Sequence, residues 1–178
     1  MSTSAAATTR AELMTYLDGL GIVTKTIDHA PVFTVAESDA LNKDLAGGHT
    51  KNLFLKDAMD RLYLVVAEGH TPVDLKALPK VIGSARLSFG KPELLLEVLG
   101  VTPGSVTALA LINDTAKRVS VVVDERLMAY DIINCHPLVN SATTTLKRDD
   151  LIRFMRSTGH EPRVLPVTGG TTAETASA

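Results

Sequence analysis

The chain has little of what staples, anchors or metallates a protein. One cysteine in 178 residues excludes an internal disulfide framework and a cysteine-built zinc cluster. No run of about 18 apolar residues exists, which excludes a transmembrane helix by the usual length rule. The first nine residues are small and polar, without the charged-then-apolar layout of a secretion signal. A cytoplasmic protein with no membrane partner is the expectation. The five histidines (His29, His49, His70, His136 and His160) show no H-x-x-x-H spacing, so no metal site is expected, and nothing calls for a cofactor. Gly-x-Ser-x-Gly is absent, and with it the signal of a nucleophile elbow. Charge of either sign is not in excess: 18 basic against 20 acidic side chains give a net charge of −2. Any nucleic-acid contact must therefore come from a local basic patch.

What is present describes one soluble domain. Hydrophobic residues make up 45% and charged residues 21%, an ordinary globular balance. A chain of this length buries roughly 70% of its unfolded surface. No Pro/Gly/Ser stretch, charge block or repeat divides it. Residues 1–8 and 168–178 are Ser/Thr/Ala/Gly-rich and are expected to fray, leaving residues 9–167 as the domain. Within it, Thr9-x-x-Glu12 and Thr34-x-x-Glu37 are capping boxes that open helices. Lys25 to Asp28, Lys51 to Lys56, Arg61 to Ala67, Leu109 to Ile112, Val119 to Val123 and Arg163 to Val167 read as strands, and Ala85 to Phe89 as extended chain. A short helix follows Asp74. Pro92 and Gly100 bracket another, and a last runs over Asp149 to Ser157. Strands and short helices without a βαβ rhythm predict an α+β fold with a curved, mixed or mostly antiparallel sheet.

Three segments carry residues suited to chemistry. In Gly47-Gly48-His49-Thr50-Lys51-Asn52, two glycines allow positive φ and close approach to a ligand. Lys51 supplies a compact charge for a phosphate. On a regular strand Asn52 faces away from Lys51. The bland reading is a tight turn into a strand with a solvated lysine; the Gly-Gly-x-x-Lys run is not a Walker loop. Gly100-Val101-Thr102-Pro103-Gly104-Ser105 is a stiff loop whose N–H groups suit a pocket wall or an oxyanion site; its plainer role is a helix stop and turn. Asn134-Cys135-His136-Pro137-Leu138-Val139-Asn140-Ser141-Ala142-Thr143 holds a histidine made extended by the proline after it, with polar Asn140 and Thr143 flanking an apolar Leu138. His136 suits substrate orientation or proton shuttling, or a purely structural place. A Cys135–His136 nucleophile pair is set aside, because neighbours on an extended chain point apart. Lys51, Lys56, Lys80, Arg86 and Lys91 recur near these loops. Arg86 stands out among them because it lies inside a strand-like run.

These segments, with Asp28 to Glu37, Arg86 to Gly90, Leu99 to Val106 and Leu111 to Asp114, bear a family likeness. The sequence resembles the YbaK/prolyl-tRNA-synthetase-associated domain family over about residues 9–167, and within it the free-standing, alanine-specific prolyl-tRNA editing branch. The resemblance implies a single domain with a curved, barrel-like sheet around a cleft. It implies a hydrolase that clears alanine from mischarged tRNA(Pro), with that tRNA and prolyl-tRNA synthetase as partners. It places the catalytic group on Lys51, Asn52, His136, Gly100 and Gly104. Arg86, Pro103, Ser105, Asn140, His49 and Thr50 are then substrate- or tRNA-binding. Two other readings stay open: a deacylase for tRNA mischarged with cysteine or serine, and a non-catalytic module that docks on tRNA or synthetase. Cys135 and the Ala/Thr-rich tail are less typical of the family.

Overall fold

Apolar side chains on both faces of one strand organise the molecule. The computed structural model describes residues 7–32, 34–43 and 45–168. Its helices are α1 (Arg10–Gly19), α2 (Val35–Asn42), α3 (Leu78–Ile82), α4 (Pro92–Leu99) and α5 (Arg148–Ser157). Its strands are β1 (Lys25–Asp28), β2 (Gly48–Asp57), β3 (Leu62–Glu68), β4 (Leu87–Phe89), β5 (Val119–Asp124), β6 (Ile132–Cys135), β7 (Ala142–Lys147) and β8 (Arg163–Leu165). Along β3, Leu62, Leu64 and Val66 enter one apolar cluster, and Tyr63, Val65 and Ala67 enter a second on the other face. The period-2 geometry of a strand makes that division. Each fully buried Leu or Val contributes about 1.5–3 kcal/mol, so β3 is the strand least tolerant of substitution.

The sheet runs β1-β7-β6-β2-β3-β5-β8, with β4 paired to β2 off this path. It is mixed: β2–β3, β2–β4, β1–β7 and β6–β7 are antiparallel, while β2–β6, β3–β5 and β5–β8 are parallel. It curves without closing, so the expected α+β class and barrel-like sheet are what the chain forms. One detail of β2 matters for everything that follows. Its outer edge pairs with β6 only at Gly48 and His49, and with β4 from Leu55 to Asp57. Between these contacts the edge is open.

Local signals account for most element ends. Thr9 Oγ1 accepts the amide of Glu12 while the Glu12 carboxylate accepts the amide of Thr9, the full capping box. Thr34 Oγ1 accepts the amide of Glu37 at the start of α2. The run expected as a strand at Leu109 to Ile112 is instead a 3₁₀-helix, Ala108–Asn113. Thr107 caps it through its hydroxyl, and Ala108 to Leu111 are buried all round. Two strands, β6 and β7, were not expected. Of the predicted frayed ends, residues 1–6 and 169–178 lie outside the described residues. The amide of Thr8 is held by Asn113 Oδ1 at 2.9 Å.

Candidate active site

The open stretch of β2 forms the floor of a cleft of about 220 Å³. His49, Thr50, Lys51 and Asn52 line it from β2. Gly69 and His70 line it from the chain after β3. Pro103, Gly104 and Val106 come from the loop after α4, and His136 from the end of β6. Val32, Thr34 and Asp39 complete the rim from the α2 side. Lys51 and Asn52 both reach the cleft, although strand geometry turns them to opposite faces, because the cleft lies along the strand's edge.

Beside it a recess of about 20 Å³ opens between Leu41, Asn134, Cys135, Thr143 and the residues it shares with the cleft, Val32, His49, Thr50 and His136. A single water needs about 10–15 Å³ on this scale, so the recess takes one small group. Its walls are fixed by hydrogen bonds. Thr50 Oγ1 donates to the Asn134 carbonyl at 2.8 Å. Asn134 Nδ2 donates to the Ala46 carbonyl at 2.9 Å, and Asn134 Oδ1 accepts from Thr145. The His29 ring meets the Ala30 carbonyl through Nδ1 and Thr143 Oγ1 through Nε2. A carbonyl only accepts, so Nδ1 carries a proton.

The same reasoning sets the state of His136. Its Nδ1 lies 3.1 Å from the Ala142 carbonyl, which makes Nδ1 the protonated nitrogen and leaves Nε2 an acceptor. Burial lowers its pKa. Burial also lowers that of His49, against the opposing pull of the Leu45 carbonyl and the Glu68 and Asp39 charges. Both imidazoles are therefore neutral at pH 7. His49 Nδ1 and Asn52 Oδ1 are buried without a hydrogen-bond partner, as is Thr71 Oγ1 nearby. An orphaned buried polar atom costs about 1–3 kcal/mol; His49 and Asn52 both line the cleft, and an unsatisfied pair there is a feature that calls for an explanation. Lys51 makes no ion pair among the described residues. Burial pushes the Cys135 thiol up to about 12, so it is protonated and a poor nucleophile.

The remaining residues singled out in the sequence stand apart from the cleft's lining. Gly100 caps α4 at φ 67°, and its amide donates to the Leu96 carbonyl. A Cβ there would lie 2.8 Å from Asn113 Nδ2, so this glycine serves the helix end. The Ser105 amide is committed to Thr102, and Pro103 has no N–H. Of the loop's expected oxyanion donors among these residues, Gly104 remains. Asn140 Nδ2 reaches the Val32 carbonyl at 3.4 Å, and its own carbonyl accepts the Val32 amide; it ties down the rim. Arg86 is exposed beside the Asp57 turn, where its carbonyl accepts the Ala58 amide. Gly47 and Gly48 serve packing instead of ligand approach. A Cβ on them would meet the Ile132 carbonyl at 2.6 Å and the Tyr130 ring at 2.7 Å. Val32 and Thr143 lie in stretches the sequence already marks, without a role assigned to either. Sequence reasoning missed Asp39 and His70, whose first signal is tertiary: His70 Nε2 lies 3.3 Å from Asp39 Oδ1 across the cleft mouth.

Fold and cleft together define a small α+β domain whose cleft carries neutral His49 and His136, a lysine with no ion pair among the described residues, and a narrow inner recess. The comparisons give this class its family. Residues 29–154 match the aminoacyl-tRNA editing domain, and the chain belongs to that family. It is 42% identical over 158 residues to prolyl-tRNA synthetase associated domain-containing protein 1 of Danio rerio, covering 88% of this chain and 86% of that protein. It is 38% identical over 145 residues to prolyl-tRNA editing protein ProX of Acetoanaerobium sticklandii, covering 81% and 88%. A crystal structure of a proposed trans-editing enzyme for prolyl tRNA synthetase superposes with a TM-score of 0.67 at 21% identity, over 92% of this chain and 98% of that one. That last likeness bears on the fold alone.

Proposed function

We propose that this protein is a free-standing deacylase that hydrolyses alanine from mischarged tRNA(Pro). The observation that carries the reading is the recess: its volume of about 20 Å³ suits a methyl side chain and not a five-membered ring. Chemistry gives such a sieve a purpose. A synthetase pocket built for proline rejects a smaller side chain by only about 1–3 kcal/mol, so a second, tighter site is needed to remove the error.

In this reading the alanine methyl enters the recess and the ester lies across β2. Lys51 holds the phosphate or ribose of the terminal adenosine. The Gly104 amide faces the carbonyl oxygen and stabilises the charge that develops on it. A water held by His136 Nε2, beside Asn52, attacks the carbonyl carbon. The bond from that carbon to the ribose oxygen breaks. Alanine leaves, and the tRNA regains its terminal hydroxyl. The protonated state of Cys135 favours water over a side-chain nucleophile, and an aminoacyl ester is activated enough for that to suffice. Arg86, outside the cleft, grips the RNA away from the ester.

Single-turnover deacylation tests the reading. Ala-tRNA(Pro) is expected to be hydrolysed and Pro-tRNA(Pro) spared, with Lys51→Ala reducing the rate by 10²-fold or more, the range expected on losing a preorganised charged contact. Turnover of tRNAs carrying serine or cysteine at equal rates defeats the alanine assignment. Binding of tRNA with no hydrolysis of any of them makes the protein a docking module.

A further inference from the structure

β2 joins the cleft to a second feature that the mechanism above does not use. Phe89, on β4, is 62% exposed. A lone exposed apolar side chain is ordinary on a protein surface; the interest of this one lies in its position. Phe89 stands opposite Leu55 of β2 in antiparallel register, and the amide of Gly90 donates to the Phe54 carbonyl. Residues directly opposite share a face, as do residues two apart. The ring of Phe89 thus lies on the same face as Leu55, Leu53 and Lys51. At about 3.3 Å per residue it is roughly 13 Å along the strand from Lys51. The edge of β2 between the two is the open stretch that floors the cleft. Charge is placed to match. Arg86 begins the approach to β4 and Lys91 follows it; both are exposed, and neither makes an ion pair among the described residues.

We infer that Phe89 is a stacking platform for an unpaired base of the substrate RNA. The base lies a few nucleotides inward from the aminoacylated end, and Arg86 and Lys91 hold the phosphates beside it. The inference rests on the reading that the substrate is an aminoacyl-tRNA. An RNA strand leaving the cleft along the open edge meets an aromatic face flanked by cations, the arrangement that holds single strands without reading their sequence. A protein partner would call for a broader apolar patch than one ring between charged neighbours.

The chain contains no tryptophan, so Phe89→Trp introduces a single fluorophore at the platform. Its emission is expected to be quenched by an uncharged RNA hairpin with an unpaired 3′ end, and to be indifferent to the same hairpin with that end removed. In deacylation, Phe89→Ala and Phe89→Leu are expected to raise KM for aminoacyl-tRNA about tenfold, with kcat within about twofold and Phe89→Tyr near wild type. With the alanyl ester of adenosine, which has no upstream nucleotide, all four variants are expected to match wild type. Quenching by RNA in a protein that hydrolyses no aminoacyl-tRNA upholds the platform while defeating the deacylase reading. Unquenched emission in an active enzyme overturns the platform. So does an equal loss on both substrates, or an effect that appears only when a synthetase is present.

Discussion

The two ends of β2 treat buried polar groups in opposite ways. At its C-terminal end, Asp57 is 2% exposed and surrounded by donors. It accepts the amides of Met59, Arg61 and Ala85 and the Arg61 guanidinium at 2.9–3.1 Å, and the Tyr63 hydroxyl lies at 3.5 Å. Burial alone would raise the Asp57 pKa, but these donors outweigh it and hold it low. Behind the sheet His160 and Asp114 repeat the pattern. The ring bonds Thr158 and the carboxylate, which also takes the Arg118 and Val119 amides. At the N-terminal end, His49 Nδ1 and Asn52 Oδ1 have nothing. A satisfied buried polar group fixes a turn; an orphaned one keeps a place for something outside the chain.

That contrast can be broken by mutation. The largest effect is expected for Asp57→Ala, which strands several donors at once. A loss of about 3–5 kcal/mol in denaturant unfolding is expected, and a loss below about 1 kcal/mol would show the network to be ornamental. His160→Ala follows at about 2–4 kcal/mol, since it opens a cavity and leaves a buried carboxylate short of a partner. Asn52→Leu is the opposite case: removing an orphan is expected to leave stability within about 1 kcal/mol of wild type or above it, while deacylation falls. If Asn52→Leu destabilises like Asp57→Ala, the two ends of β2 do not differ.

pH separates the ends as well. The Asp57 and Asp114 carboxyls have folded pKa values below their ordinary ones. Their stabilisation is present above about pH 4 and is lost as pH falls through the lower folded values. For His49 and His136 the folded values are also depressed. The unfolded chain therefore takes up these protons first, and stability declines as pH drops below about 6.5. Activity that needs neutral His136 is expected to stay flat from pH 8 to 6.5 and to fall only below. An inflection above pH 6.5 that vanishes in His136→Asn would show that burial does not depress this group.

Much of this was legible in residue order, and the exceptions have physical causes. The Thr9 and Thr34 caps, the Gly100 stop and strands β2, β3 and β5 follow from local patterns. The Ala108–Asn113 run was not, because a short apolar stretch fits a strand and a buried helical turn equally. Strand β7 hid behind Thr143, Thr144 and Thr145. These three are buried or half-buried in polar company, with His29, Thr26 and Asn134 respectively, so no apolar alternation announced them. The candidate site divides in the same way. His49 to Asn52 sit on one contiguous strand and were visible as a motif. Asp39 and His70 reach it only once strands and helix have been brought together.

The short seam between β2 and β6 has a mechanical consequence. Among the described residues, Gly48 and His49 are the only paired positions joining the β1-β7-β6 ribbon to the rest of the sheet along that strand, and His49 lines the recess. Movement between these plates would act on the recess beside the seam, whereas the two apolar clusters lie against β3. If the recess sorts substrates as proposed, substitutions that loosen the seam are expected to widen what is accepted before they cost much stability, which misacylated-tRNA panels and denaturant unfolding would show together.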